Sequence, residues 1–314
     1  MNKPLILYGL LPIANNSLEV DGELAAPSSW DTSLSANGAN EVTAGEAQSA
    51  GDGIPSLKSL RQSVSNVASA KAIAAQRFAV ADYPLLDLVR DEGMELALAA
   101  SLKPANQWAW EHADLRIRQY DATGTATVGT GALLTAPSDR RFDAAGPDWY
   151  LVVRAVELHA DTAYIDVELR VDWASTWIAA SYAYWDRVLC GGLVDLQKGF
   201  RGGQSHQQDS GFEVNHGDGV AEIVRLSGPQ TQIDADFRNV EPETPMDLQL
   251  KAFNRWVAHQ QGFVALWGDR DYLTNRDRHF QRCYHDPKFK VDYPEGYVRR
   301  DYRFRFVAPS EGTA

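Results

Sequence analysis

From Tyr164 to Trp173 apolar and charged residues alternate without a break. Ile165, Val167, Leu169, Val171 and Trp173 fall on one set of positions, and Asp166, Glu168, Arg170 and Asp172 on the other. Successive side chains of an extended chain point to opposite faces, so this segment predicts a strand with one dry and one wet side. The same period returns at Met94 to Leu102, where Met94, Leu96, Leu98, Ala100 and Leu102 share a face. It returns again at Tyr302 to Val307, where Tyr302, Phe304 and Phe306 oppose Arg303 and Arg305. The expected fold is mainly β, built from antiparallel sheets packed as sandwiches.

A chain of 314 residues accommodates one large or two ordinary domains and buries roughly three quarters of its unfolded surface. Its two cysteines, Cys190 and Cys283, exclude a disulfide framework and a four-thiolate zinc site, and read as buried thiols. The apolar run Leu5 to Ile13 is interrupted by Gly9 and Pro12. A bilayer crossing takes about 20 apolar residues, and no cleavage site of small residues follows the run, so the expectation is a protein made in the cytoplasm without membrane insertion. A net charge of −12 argues against nucleic-acid binding and against anionic membranes. That charge is uneven: Arg270 to Arg305 holds ten Lys or Arg against six Asp or Glu. Such a basic segment suits either a complementary contact between copies or an ordinary strand face lined with solvated arginines.

Several features organise the chain. Thr32 to Gly53 is rich in Ala, Gly, Ser, Asn and Thr, with Leu34 and Val42 as its bulky apolar residues, and reads as a long loop or linker. After it, Leu57, Leu60, Val64 and Val67 recur at helical spacing and predict an amphipathic helix, so that an inserted loop and helix occupy about 32–76. Strands are expected from Phe78 to Trp173, with turns at Asp121-Ala122-Thr123-Gly124 and Ala145-Gly146-Pro147-Asp148. A cluster of Trp177, Tyr182, Tyr184 and Trp185 then precedes Cys190-Gly191-Gly192, placing a domain boundary near Ala174 to Ile178 and dividing the chain into 1–175 and 176–314. In the second part, Gly211 to Asn215 and Val220 to Leu226 read as a hairpin turning at His216-Gly217-Asp218-Gly219, followed by a strand at Gln232 to Arg238. Thr244 is an N-cap, Pro245 sits at the first helical position, and Asp247 completes a capping box. The helix they open spans 245–261, with an apolar stripe of Met246, Leu250, Phe253 and Val257 expected to pack on the carboxy-terminal sheet.

Chemistry-bearing motifs are sparse. His206, Asp209, Glu213, His216 and Asp218 are metal-ligand types, but their spacing matches no zinc template, and no metal or cofactor is expected. Nucleophile elbow, Walker loop and dinucleotide fingerprint are all missing from the sequence, so no catalytic residue is assigned. The aromatics stand out instead. Trp108 and Trp110 share a strand face and Trp149 follows a Gly-Pro-Asp turn. They are candidates for a platform on which sugar rings stack, or alternatively ordinary core and interface residues.

Two resemblances extend this reading. Asn15-Asn16-Ser17-Leu18-Glu19-Val20 with Trp30, then Ile117-Arg118-Gln119-Tyr120-Asp121-Ala122-Thr123-Gly124, then Tyr164-Ile165-Asp166-Val167-Glu168-Leu169 follow an order that resembles jelly-roll modules of the carbohydrate-binding type. In Gly211 to Val307, the succession of strands, helix, Phe263-Val264-Ala265-Leu266-Trp267 and the closing Tyr302-Arg303-Phe304-Arg305-Phe306-Val307 resembles the tube-like domain of distal tail and baseplate proteins of long-tailed bacteriophages. The second resemblance implies a non-catalytic virion protein of the tail tip, assembled in the host cytoplasm into a ring with other tail and baseplate proteins. Arg299, Arg300, Trp177, Tyr184 and Trp185 are its candidate interface residues. The first implies an alternative, a protein that recognises a host-surface glycan through the amino-terminal jelly roll. An enzyme acting on glycans is a third possibility.

Overall fold

The computed structural model describes residues 5–14, 18, 27–44, 58–104, 112–124, 141–146, 149–172, 181–195, 200–201, 204–207, 212–217, 220–225, 230–257, 263–266, 280–285, 290–292 and 300–308. The chain opens with strands β1 (Leu5–Tyr8), β2 (Gly38–Ala44), β3 (Lys58–Val64) and β4 (Lys71–Ala79), followed by helix α1 (Pro84–Asp91). Next come β5 (Glu95–Pro104), β6 (Ala113–Tyr120), β7 (Arg141–Gly146), β8 (Trp149–Glu157), β9 (Tyr164–Asp172) and the long β10 (Ser181–Asp195). Beyond it lie β11 (Phe200–Arg201), β12 (Gln204–Gln207), β13 (Phe212–Gly217), β14 (Val220–Arg225) and β15 (Gln230–Val240). Helix α2 (Pro245–Val257) then precedes β16 (Phe263–Leu266), β17 (Phe280–His285), β18 (Lys290–Asp292) and β19 (Arg300–Ala308).

These strands form a mainly β protein of the sandwich, jelly-roll kind. A three-stranded sheet in the order β4-β9-β6 faces a 14-stranded sheet, and β13 pairs with β14 as the expected hairpin. Every described strand pair is antiparallel. The core fills the space between the two sheets. Ile165, Val167, Leu169 and Val171 of β9 meet Leu96, Leu98, Ala100 and Leu102 of β5, with Leu60, Val64, Ala183 and Trp185 from β3 and β10. Strand β5 is buried on its second face too, where Ala97 and Ala99 join Leu7, Val153 and Leu193 in a smaller cluster.

Three local expectations are corrected by this arrangement. Lys58–Val64 is a strand, not part of a helix: Leu60, Gln62 and Val64 all point inward, and the buried Gln62 supplies the period-two position that an apolar count overlooks. Gly38–Ala44, inside the expected loop, pairs with it as β2. Its glycine is required, because a Cβ on Gly38 would lie 2.4 Å from the Lys71 carbonyl oxygen. Between β4 and β5 the chain forms helix α1, opened by Pro84 at the first turn and burying Leu85, Leu86 and Val89, where strands alone were expected.

The charged side of β9 also departs from a simple wet face. Cross-strand neighbours cover it, so Asp166 and Glu168 are buried, the latter with no exposed surface. Arg77 forks onto Asp166 at 2.7 and 2.9 Å, Arg118 lies 2.8 Å from Glu168, and Arg116 and Arg154 both reach Asp114. Burial pushes the Glu168 carboxyl above the usual carboxylate range, although Arg118, Arg170 and Arg116 oppose that rise.

The cap of α2 forms as expected, with Thr244 Oγ1 accepting the Asp247 N–H at 3.4 Å and Asp247 accepting the Glu243 N–H at 3.0 Å. Leu250 and Phe253 are buried, but the helix rests on β1 and β10 rather than on the last strands alone, its Phe253 ring standing edge-on 5.7 Å from Tyr8. Tyr8 in turn lies over Gly192 of β10, where an added Cβ would meet the ring at 2.5 Å. That close approach explains the Gly-Gly pair after Cys190. The Cys190 thiol itself has no exposed surface.

Strand β1 joins the two halves of the chain, pairing with β10 on one edge and β16 on the other. The expected boundary at Ala174 to Ile178 lies outside the described residues. Ser181–Asp195, expected beyond it, pairs with β3 and β5 of the amino-terminal half.

Candidate ligand-binding face

Strand β10 sorts its aromatics by the pleat. Ala183 and Trp185 point into the core, so Tyr182, Tyr184 and Asp186 occupy the opposite face. The registers of three strand pairs then lay residues in a line across four strands: Glu41 of β2 opposite Arg61 of β3, Arg61 opposite Tyr184, and Tyr184 opposite Lys103 of β5. At the ordinary strand spacing the line is about 14 Å long. One position along, Ser63 lies opposite Tyr182.

Both tyrosines are partly exposed. Their rings stand edge to face with centroids 5.5 Å apart, and the Arg61 guanidinium lies over the Tyr182 ring at 4.7 Å. The next row inward is made of oxygen. Thr43 is opposite Ser59 and Asp186 is opposite Ser101. Ser59, Ser101 and Asp186 are buried, and the hydroxyls of Thr43, Ser59 and Ser101 have no hydrogen-bond partner. Unsatisfied buried hydroxyls cost stability, which makes their concentration in one row informative.

Immediately beside this row the pairing of β10 with β5 slips between Asp186 and Leu189. Arg187, inside the slip, has φ of 52°, a left-handed conformation that a side chain other than glycine adopts at a cost. Bulges of this kind re-aim side chains and recur beside binding sites.

The face unites segments that the sequence kept apart, and it reassigns several candidates. Tyr184 belongs to the face. Trp185 is wholly buried and donates its indole N–H to Gln62 at 2.8 Å, so its ring builds this chain's own core rather than a surface. Trp149 begins β8 opposite Gly146 of β7, next to Tyr150, at which the pairing of β8 with β5 ends. Trp108, Trp110, Trp177 and Arg299 lie outside the described residues. Arg300 stands opposite Val240 at the start of β19, away from this face. Sequence reasoning passed over Arg61, Lys103, Tyr182 and Asp186. The available signal was two tyrosines at alternate positions, Tyr182 and Tyr184, in a strand whose intervening residues are apolar.

The carboxy-terminal strands bear on the basic segment. Arg303 and Arg305 of β19 stand in register with Asp236 and Asp234 of β15.

No family model matches this chain, and no curated protein matches it. Among solved structures it is similar to the CBM22-1 xylan-binding domain of Xyn10C from Paenibacillus barcinonensis. That likeness has 13% identity and a TM-score of 0.33 over 56% of this chain and 90% of that one. The tandem CBM22-1-CBM22-2 domain of the same protein gives 10% identity and a TM-score of 0.36 over 98% of this chain and 87% of that one. The enzymatically active domain of tailspike protein 4 from bacteriophage CBA120 gives 15% identity and a TM-score of 0.34, covering 57% of this chain and 22% of that one. Likenesses this distant leave the choice of ligand to the chemistry of the face itself.

Proposed function

We propose that this protein works by binding rather than catalysis, recognising a surface glycan on the outer face of β2, β3, β10 and β5. The observation that carries the reading is the pair Tyr182 and Tyr184, partly exposed on a sheet face and flanked by Arg61 and Lys103. Sugar rings present C–H faces that pack on aromatic rings and a rim of hydroxyls that needs charged or polar partners, and this face supplies both kinds of group. A glycan array followed by calorimetry tests it. Saturable binding that is lost in a Tyr182→Ala/Tyr184→Ala double variant with unchanged melting is the expected result. An array with no signal rejects the reading.

A second reading is a structural subunit of a bacteriophage tail tip or baseplate, resident in the virion and forming a ring with tail partners. The order α2, β16 and closing β19 supports it, since helix, short strand and terminal arginine-rich strand follow one another as the tail-protein resemblance implies. Size-exclusion chromatography with electron microscopy of the purified protein separates the two. Rings without saturable glycan binding favour the tail subunit, and a monomer that binds glycan favours the first reading.

A further inference from the structure

We propose that the glycan held on this face is acidic, and that Arg61 grips the carboxylate of one of its sugars. The inference rests on the glycan-binding reading above and adds the charge of the ligand to it. Among the described residues, two arginines lie over tyrosine rings at closely similar distances. Arg77 lies 4.5 Å over the ring of Tyr120, and Arg61 lies 4.7 Å over that of Tyr182. Arg77 also holds a carboxylate: its Nε and Nη2 donate to the two oxygens of Asp166 at 2.7 and 2.9 Å. In Arg77 a guanidinium held over a tyrosine ring thus keeps two donors for the bidentate grip of a carboxylate. Arg61 presents the same stack without the carboxylate. Its Nε is buried and has no hydrogen-bond acceptor.

Six of the described arginines differ from Arg61 in having a carboxylate at hand. Arg90, Arg116, Arg118, Arg154, Arg170 and Arg255 each lie within ion-pair distance of an Asp or Glu. In a chain with net charge −12 a carboxylate is easily found, and Glu41 stands directly opposite Arg61 in register without forming an ion pair with it. The stacking on Tyr182 holds the guanidinium in place without consuming its donors, an arrangement suited to an acceptor arriving from outside. The net charge of −12 opposes a general attraction for polyanions, so a local group has to supply the preference. The ligand therefore has to pair an acidic group at Arg61 with a sugar ring that stacks on Tyr184, the next residue along the row.

The test uses the full chain and matched polymers, polygalacturonate and its carboxyl-reduced neutral form, with affinities from calorimetry at 50 and 200 mM salt. Binding of polygalacturonate at least tenfold tighter than its reduced form is expected. Arg61→Gln should remove that preference and Arg61→Lys retain part of it, with melting temperatures of both variants within about two degrees of the parent. Equal binding of the two polymers overturns the inference and leaves the glycan reading standing, as does a preference that survives Arg61→Gln. Should Arg61→Gln fail to fold, chemical-shift perturbation of the Arg61 Nε–H signal in the parent protein decides: a shift with polygalacturonate and none with the neutral form is the supporting outcome. Absence of binding to any polymer or to a glycan array overturns both statements together.

Discussion

Trp185 of β10 donates its indole N–H to Gln62 Oε1 of β3 at 2.8 Å, and neither residue exposes any surface. Gln62 passes the connection on, its amide donating to the Leu169 carbonyl of β9 at 3.0 Å and to Asn40 Oδ1 of β2 at 2.8 Å. One side chain therefore ties four strands and both layers of the sandwich together. Such a satisfied polar link inside an apolar core fixes the register of the two sheets, because each partner becomes costly if left unpaired.

The first prediction follows from that link. Gln62→Ala orphans the indole N–H and leaves the Leu169 carbonyl without this donor, at about 1–3 kcal/mol for each. Trp185→Phe removes the same hydrogen bond from the other end and adds a cavity. Urea unfolding of both single variants and the double variant should show coupling of at least about 0.5 kcal/mol. Additive losses would mean that the hydrogen bond contributes nothing beyond packing.

A second prediction concerns backbone approach. The Cβ introduced by Gly38→Ala would lie 2.4 Å from a main-chain oxygen that no side-chain rotation can move aside. The variant should lose about 1–3 kcal/mol in urea unfolding through the forced shift of β2 against β4. At Gly93, by contrast, nothing lies within 4 Å and the backbone is left-handed with φ of 62°, so Gly93→Asn should cost far less. Equal losses at the two sites would refute the steric account of Gly38.

Strands whose two faces differ in chemistry were readable from the sequence. β9, β5 and β19 announce themselves by alternation, and α2 by Thr244, Pro245 and Asp247. Strand β3 was not readable, because its inward Gln62 hides the alternation while Leu57, Leu60, Val64 and Val67 imitate a helix. Only the indole, carbonyl and amide brought to Gln62 by distant strands make that burial favourable. Strand β2 has even less local signal, with Val42 the one buried apolar side chain among its described residues. The binding face escaped for a related reason. The crowding of Trp177, Tyr182, Tyr184 and Trp185 was visible, but the separation of Trp185 inward from the tyrosines outward, and the arrival of Arg61 and Lys103 beside them, depend on long-range register.

A third prediction tests the seat of α2. Phe253 is buried at 1% exposure against Tyr8. Phe253→Ala should cost about 3–5 kcal/mol, read as a lower urea midpoint without a change of slope. A midpoint unchanged by the truncation would place the helix elsewhere.

The last prediction sets two buried carboxylates against each other. Asp247 is enclosed, which by itself raises its carboxyl. The Lys251 ammonium at 2.7 Å, the Tyr302 hydroxyl and the Glu243 N–H outweigh that burial and hold it below the usual range. The folded protein thus binds this proton less readily than the unfolded chain. The stability so conferred is complete above the unfolded value of about 4 and is lost as pH falls through the folded one. Glu168 has the opposite sign. Burial raises its carboxyl, so the folded state takes up this proton more readily, and the contribution is complete below about 4.3 and declines as pH rises through the folded value. Chemical unfolding of the parent, Asp247→Asn and Glu168→Gln between pH 3 and 7 resolves the two. The advantage of the parent over Asp247→Asn should shrink toward pH 3, whereas its standing relative to Glu168→Gln should improve over the same range. Parallel pH profiles for all three proteins would show that neither carboxyl changes its proton affinity on folding.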